Sequence, residues 1–513
     1  MTRRFPAGAW LAAAVAPAAG LAHALSIAAP WNGQPQWWLQ LAALAVLVRL
    51  VDGAPGVRAA ALRGFLFACA WLAGVVWWLF ISMHVYGGLP AALALLAVAV
   101  LAALLALYYA AAAAVVRACD PRHTLGRALL WAAAWTLAEL GRGLWFTGFP
   151  WGAAGYAHVD GPLAAFAPWV GVYGIGALAA FAAALAASCT AAVPARGGAR
   201  AAGALLAVAA LSALLHWRAP ARDAIAEPLR VSLLQGNIPQ DVKFEPGEGI
   251  ELSLRWYGQQ LQQAATPLVV APETALPLLP EQLPIGYWQA LQARFAAGGQ
   301  AALVGMPLGD MTHGYINAAV GLVPGRVAYY EYAKHHLVPF GEFVPPLFRW
   351  FTEMMDIPLG DFRRGGVGQA SLALGAQRLA PNICYEDLFG EELAARFVDP
   401  ARAPTVFVNM SNIAWFGDSI AIDQHLAISR MRALEFRRPM LRATNTGATA
   451  IIDAQGRVTH ALPRLTRGVL TGEVQGHTGI TPYAWWAGRL GLAPLWGPAL
   501  AVVALAWRRR RRP

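Results

Sequence analysis

Residues 89–115 read LPAALALLAVAVLAALLALYYAAAAAV, an apolar run without one charged side chain. A bilayer's hydrocarbon core takes about 20 helical residues to cross, and this run exceeds that. A helix on the surface of a soluble domain carries a polar face; this one has none. The chain is therefore read as a membrane protein. Composition agrees: of 513 residues, 58% are hydrophobic and 13% charged, about half the charged share of roughly 25% usual in soluble globular domains.

Outward from that run, similar ones recur at 7–29, 36–51, 64–86, 128–147, 162–188 and 200–217, and once more at 483–507. The expectation is about eight transmembrane helices. Loop charges orient them, because Lys and Arg are retained on the cytoplasmic side. An N-terminus inside puts Arg3 and Arg4, Arg58 and Arg63, Arg117, Arg122 and Arg127, Arg196 and Arg200, and the tail Arg508–Arg512 all in the cytoplasm. The short opposite loops, Trp31–Pro35 and Tyr86–Leu89, carry no Lys or Arg. Arg142 and Arg489 are exceptions near the outer ends of their spans, and Glu139, one helical turn before Arg142, is placed to pair with it. Residues 1–24 also read as a signal peptide with Ala22-His23-Ala24 as its cleavage site, but the charge alternation works best with the first helix retained.

All 28 acidic residues except Asp52, Asp120, Glu139 and Asp160 fall between Arg218 and Ile480. Within that block the charges nearly balance, so the net +11 of the chain belongs to the membrane part. It is a topology signal, with no call for nucleic acid. The expected organisation is a seven-helix membrane domain over 1–217, an external domain over 218–480, and a C-terminal span with an arginine tail over 481–513. The external face is the periplasm if the membrane is a bacterial inner membrane. Of four cysteines, only Cys384 lies in the external block. It is a thiol without a partner where disulfides usually form.

The block alternates short apolar strands with helices. Leu229–Leu234, Pro267–Ala271, Ala302–Gly305, Ile316–Leu322, Leu379–Ile383, Thr405–Asn409 and Ala448–Ile452 have strand character, while Glu251–Ala264, Tyr287–Ala297 and Ile420–Phe436 read as helices. Alternation of this kind argues for a layered α/β domain. Three exits carry chemistry: Val269-Val270-Ala271-Pro272-Glu273, then Lys334 ahead of Val338-Pro339-Phe340-Gly341-Glu342, then Ile383-Cys384-Tyr385-Glu386-Asp387 before a helix at 390–397. Singly, each has a plainer reading: Glu273 as a surface turn residue, Lys334 as a solvated charge, Cys384 as a structural cysteine, Glu386 and Asp387 as helix caps. Together they form an acyl-transfer set. A thiol attacks a carbonyl as thiolate, a carboxylate takes its proton, and a fixed ammonium stabilises the oxyanion.

The order Glu273, Lys334, Cys384 in these strings resembles the nitrilase superfamily of carbon–nitrogen hydrolases. The longer strings resemble its membrane branch, the bacterial apolipoprotein N-acyltransferases: Leu234-Gln235-Gly236-Asn237-Ile238-Pro239-Gln240, His336–Glu342, Asn412–Ser419, Arg430–Glu435 and, in the membrane part, Phe146–Trp151. The resemblance spans essentially the whole chain. It implies an αββα sandwich for the external domain and a two-step reaction without cofactor or metal. Cys384 would take an acyl chain from a phospholipid, typically from its sn-1 position, as a thioester, leaving a lysophospholipid. The N-terminal amine of a diacylglyceryl-modified apolipoprotein cysteine would then accept it as an amide. By the same resemblance Glu273 is the base, Lys334 stabilises the tetrahedral intermediates, and Glu342 holds Lys334 or Glu273. Tyr385 and Glu386 flank the nucleophile, a backbone N–H after Cys384 aids the oxyanion, and Trp415, Phe416 and Asp418 line the site, with core packing the even alternative for the aromatics. The chain departs from the commoner family pattern at Phe244, where tryptophan is expected.

Two rivals stand beside this reading. A membrane-anchored amidase acting on a small amide would use the same three residues with water in place of the amine, but eight spans are a large anchor for a soluble substrate. A transporter would need ionisable groups inside its spans, and these are nearly bare. The segment 335–360, with Phe348, Trp350, Phe351, Met354 and Met355, reads either as an arm dipping into lipid or as ordinary packing. Nothing in the sequence demands more than a monomer.

Overall fold

A computed structural model of the chain describes residues 7–121, 123–189, 195–217, 224–225, 227–344 and 362–510. Phe348, Trp350, Phe351, Met354 and Met355 lie outside the described residues. The chain divides into two compact units, one of residues 1–80, 91–220 and 490–513, the other of 81–90 and 221–489.

In the first unit a helix overlaps each expected span, Ala7–Ile27, Trp37–Asp52, Val57–Val76, Ala91–Cys119, Thr124–Leu144, Ala167–Cys189, Ala195–Trp217 and Ala493–Arg510, but the third ends at Val76, short of the expected 86, and residues 81–86 belong to the other unit. Ala and Leu dominate them, the residues that lose least on entering a helix. Among the described residues, four helices are long and apolar enough to cross a membrane on those grounds alone: Val57–Val76, Ala91–Cys119, Pro162–Cys189 and Gly197–Trp217. The last expected span is not one helix. Pro482–Leu490 and Ala493–Arg510 are separate, broken at Gly491, whose φ of +55° suits a residue without Cβ. Counting that pair as one span makes five. Trp37–Asp52 is short, and Thr124–Leu144 carries Arg127, Glu139 and Arg142.

Glu139 and Arg142 do pair, 3.9 Å apart and fully buried. Their other bonds run to the loop that follows. Arg142 donates to the carbonyls of Phe149 and Trp151, each at 2.8 Å, and Glu139 accepts from the Ala154 N–H at 2.7 Å. The helix stops at Leu144 and the chain turns through Phe146, Thr147 and Gly148, all at positive φ. Phe146 itself is exposed, but the loop from Pro150 onward is buried; a buried loop must satisfy its backbone groups internally, and the ion pair does so here. The helices are also less bare than expected: His23 and Gln40 are fully buried, Gln40 bonding His158 at 2.8 Å.

The second unit holds twelve strands: β1 (Leu229–Gln235), β2 (Leu268–Val270), β3 (Ala301–Asp310), β4 (Gly314–Leu322), β5 (Tyr330–Ala333), β6 (Leu372–Leu374), β7 (Gln377–Ile383), β8 (Val406–Ser411), β9 (Met440–Thr444), β10 (Ala450–Ile452), β11 (Val458–Ala461) and β12 (Gly468–Val474). They form two six-stranded sheets, ordered β12-β1-β2-β3-β4-β5 and β11-β10-β9-β8-β7-β6. Each has a parallel centre, β1-β2-β3 in one and β7-β8-β9 in the other, with antiparallel edges. Strands buried on both faces read as continuous apolar runs, as β2 does.

Three apolar clusters make the layers. Val231, Leu233, Val270 and Leu303 of one sheet meet Ile383, Val408, Met410 and Leu441 of the other. The outer face of the first sheet packs Val269, Val304 and Val320 under the helices Gly249–Gln263 and Tyr287–Ala297 through Leu254, Tyr257, Leu291 and Phe295. The outer face of the second packs Phe407 and Met440 under Phe397, Phe436 and Tyr483. The result is the αββα sandwich the resemblance implies. The parallel centres turn the C-terminal ends of β2, β7 and β8 into open exits, where side chains leave the sheet without another strand to pair.

Candidate active site

Glu273 leaves the end of β2 beyond Pro272, and its carboxylate is buried. The next residue, Thr274, has φ +51°. Lys334 follows β5 directly, with its N–H bonded to the Asn317 carbonyl of neighbouring β4 at 2.8 Å, and is 1% exposed. Glu342 returns to the same place across a turn at Phe340, φ +64°. Cys384 ends β7 at φ +52° and starts a short 3₁₀ turn, Cys384–Leu388, ahead of the helix Gly390–Ala394. Three non-glycine residues, Thr274, Phe340 and Cys384, thus sit in left-handed backbone around the site. Each costs about 1–3 kcal/mol, which the surrounding fold must supply.

These turns aim the charged groups at one point. The Lys334 ammonium lies 3.1 Å from Glu273 Oε1 and 2.9 Å from Glu342 Oε1. The side-chain amide of Asn317, in mid-β4, donates to the same two oxygens at 2.8 Å each. Glu273 Oε2 accepts from the Asn412 N–H at 2.9 Å, and Glu342 Oε2 from the Val338 N–H at 2.8 Å. Burial pushes the Glu273 carboxyl up, but Lys334, Asn317 and Asn412 outweigh it and hold the group below the ordinary carboxylate range. Burial also works against the Lys334 charge; Glu273 and Glu342 override it and hold the ammonium well above its usual value. Cys384 is half-buried, and burial with the Glu273 charge pushes its thiol up to about 12, against the pull of Lys334. The resting arrangement is an ionised carboxylate, a fixed ammonium and a neutral thiol. Proton transfer from Cys384 to Glu273 then belongs to the attack itself, when Lys334 can accept the charge that appears on the substrate.

A second set of bonds holds the nucleophile's backbone. Asn409 Nδ2 and His425 Nε2 both lie 3.2 Å from the Cys384 carbonyl. Asn409 also donates to Asn382 at 2.7 Å, its partner in the β7–β8 register. His425 is held by Asp387 at 2.9 Å, and Asp387 by Arg442 at 3.6 Å and the Ser429 hydroxyl. Asp387 therefore braces the elbow from beneath. Glu386, expected as a pocket wall or a cap, is a staple between two exits. It accepts from the Ile383 N–H at 2.6 Å, the His335 N–H at 2.6 Å, the His336 N–H at 3.2 Å and the Tyr332 hydroxyl at 2.9 and 2.8 Å.

The remaining expected residues scatter. Tyr385 is buried in ring contacts with His336 and Phe389. Trp415 packs edge-on to Tyr86 at 6.0 Å, and Phe416 beside it is half-buried. Asp418 is exposed and pairs with Arg464 at 3.3 Å. Asp387, expected as a helix cap, instead holds His425; Asn317, Asn409, His425 and Lys243 are not singled out by the sequence, although a buried polar residue inside an apolar strand, as at Asn317 and Asn409, is itself a signal because it must be hydrogen-bonded.

Comparison with known proteins places the chain in a family. Residues 7–185 match the family "Apolipoprotein N-acyltransferase N-terminal domain", and residues 230–483 match "Carbon-nitrogen hydrolase". The chain is 59% identical over 512 residues to the apolipoprotein N-acyltransferase of Verminephrobacter eiseniae, covering 96% of this chain and 95% of that one. It is 47% identical to that of Ralstonia nicotianae, covering 98% and 94%, and 43% identical to that of Bordetella bronchiseptica, covering 99% and 100%.

Proposed function

The chain belongs to the apolipoprotein N-acyltransferase family, and from that premise we propose that Cys384, Glu273 and Lys334 carry its acyl transfer through a thioester. It is an acyltransferase that modifies lipoproteins, in a family of bacterial inner-membrane enzymes. The amidase reading is not favoured. The observation that carries the site is the Lys334 ammonium shared by Glu273 and Glu342 at 3.1 and 2.9 Å, beside a cysteine held in a left-handed elbow.

In the first half-reaction the Cys384 proton passes to Glu273 as sulfur attacks the ester carbonyl of a phospholipid. Lys334 stabilises the oxyanion. Collapse expels the lysophospholipid alkoxide, which takes the proton back from Glu273 and leaves the thioester. In the second, the α-amine of a diacylglyceryl-cysteine attacks the thioester and gives its proton to Glu273. The amide leaves, and the sulfur regains the proton. Glu342 holds Lys334 throughout. Tyr385 follows Cys384 directly in the chain, and the first N–H after Cys384 aids the oxyanion.

Both substrates keep their lipid chains in the bilayer and their reacting groups at its surface. That favours residues 1–217 as a membrane domain with cytoplasmic termini, 218–480 as a periplasmic catalytic domain, and 481–513 as a closing span and tail. A monomer suffices for this chemistry. Intact-protein mass spectrometry after incubation with phospholipid tests the first step. A hydroxylamine-sensitive gain of one acyl chain in wild type, absent in Cys384→Ala, is the expected result. No adduct on folded wild-type protein overturns the phospholipid-donor reading and returns attention to small amides.

A further inference from the structure

A second lysine enters the site from a loop the mechanism does not use. Lys243, in Gln240-Asp241-Val242-Lys243-Phe244, is 1% exposed. Its loop is tied to the site at another point, because Gln240 accepts from the Asn412 side chain at 2.9 Å while the Asn412 N–H bonds Glu273. Among the described residues, the Lys243 ammonium has one hydrogen-bond acceptor, the Glu273 backbone carbonyl at 3.4 Å. The Phe244 ring lies 5.7 Å away. An ammonium has three donors, so a buried one with a single long bond is poorly satisfied where it stands. Its charge acts on its surroundings instead, and those are Glu273 and Cys384.

The charge inventory shows what is missing without it. Glu273 and Glu342 are two buried carboxylates and Lys334 is one ammonium, a net negative site. Attack by Cys384 moves negative charge onto the substrate oxygen inside that site, where low dielectric makes the imbalance expensive. We propose that Lys243 is a second cationic positioning residue of the acyl-transfer site: it braces the strained Glu273 turn through the Glu273 carbonyl and brings the site to neutrality for the oxyanion. The proposal rests on the assignment of Cys384, Glu273 and Lys334 above.

Burial pushes the Lys243 ammonium down to about 8, with Glu273 and Cys384 pulling the other way. The charged groups facing Cys384 are Glu273 after β2, Lys334 and Glu342 after β5, and Arg442 on β9, with Asp387 and His425 behind its backbone. Glu273 is held below its ordinary range and Lys334 above. Loss of the Lys243 charge thus falls just above neutral pH. Acyl-enzyme formation should decline as pH rises through about 8.

The test is the single-turnover rate of acyl-enzyme formation from phospholipid in detergent, read by intact mass between about pH 6 and about pH 10, for wild type, Lys243→Arg and Lys243→Met. The expected result is an alkaline decline in wild type, its displacement to higher pH in Lys243→Arg, and in Lys243→Met a rate lower by about tenfold or more without that decline. A wild-type profile lacking the decline overturns the proposal. So does a decline that stays in place in Lys243→Arg, or a wild-type rate in Lys243→Met. A brace alone would lower both variants without moving the profile. Should Lys243→Met fail to fold by thermal unfolding, the wild-type and Arg profiles decide. If wild type forms no adduct, or Cys384→Ala forms the same one, the assignment of the site itself is at fault.

Discussion

The ammonium of Lys334 and a carboxylate oxygen of Glu273 lie 3.1 Å apart with both side chains buried. A buried pair of this kind normally consumes both charges, since each exists to neutralise the other. Here Glu342 takes a second bond from the same ammonium at 2.9 Å. Lys334 therefore stays charged and in place when Glu273 accepts a proton, which a base must do once in each half-reaction.

Glu273→Gln keeps the shape of the site and removes the base. Acyl-enzyme formation should fall by about 10²- to 10⁴-fold, measured by intact mass in a single turnover, with Lys334 still held by Glu342. Retention of wild-type rate would remove Glu273 from the mechanism.

The same variant reports on pH and stability. Glu273 is held below its ordinary range in the folded protein, so its contribution is present above the unfolded carboxyl value of about 4.3 and is lost as pH falls through the lower folded value. Lys334 is held above its ordinary range, so its contribution is complete below about 10.4 and is lost only as pH rises through the higher folded value. The Tm gap between wild type and Glu273→Gln should be level across neutral pH and close at the acid end, below about pH 4.

Asn317 donates to Glu273 and Glu342 together. Asn317→Ala takes one donor from two buried carboxylates. A loss of about 2–3 kcal/mol follows, from the range for hydrogen bonds to charged groups, with acylation reduced in parallel. Asn317→Asp adds a third negative charge and should be worse than Ala in both denaturation and rate.

Glu386→Ala strands the N–H groups of Ile383, His335 and His336 and the Tyr332 hydroxyl at once. The cost is about 3–5 kcal/mol, as for breaking other buried charged networks. Because the bonds join the exits carrying Lys334 and Cys384, acyl-enzyme formation should drop even where thermal unfolding shows the variant folded.

In the helical unit, Arg142→Leu leaves Glu139 buried without its cation and removes the donors to Phe149 and Trp151. Thermal unfolding in detergent should show a loss of about 3–5 kcal/mol, with Glu139→Gln in the Arg142→Leu background recovering part of it. Equal stability of the single and double variants would mean the pair carries no charge in place.

The sheets were legible where strands are buried on both faces. β2 is an apolar run ending at Pro272, and β7 and β8 contain shorter ones, Leu379–Pro381 and Val406–Val408, ahead of Asn382 and Asn409. β5, β6, β9, β11 and β12 escaped, three of them for visible reasons. β5 is four residues long and carries Glu331, β9 holds Arg442 in a buried position, and β12 is an edge strand with glycines at two positions, Gly468 and Gly472, between its exposed residues. A buried arginine in a strand contradicts any propensity rule until Asp387 is known to face it. The last span failed similarly, because an apolar count passes over Gly491 and its positive φ.

The sequence by itself determined that the chain enters the membrane, that a charge-balanced α/β block lies among its helices, and that Glu273, Lys334 and Cys384 end three separate segments. These follow from apolar length, charge placement and residue order, which are local properties of a chain. Only the tertiary structure decided which groups meet. Lys334 is shared between two carboxylates, Asn317 reaches both from mid-strand, Glu386 ties two exits, Asp387 supports the elbow through His425, and Asp418 pairs with Arg464. Those pairings join residues far apart in the chain, across sheet registers set by the packing of two layers. No spacing in one sequence encodes a distance that arises only when the layers close.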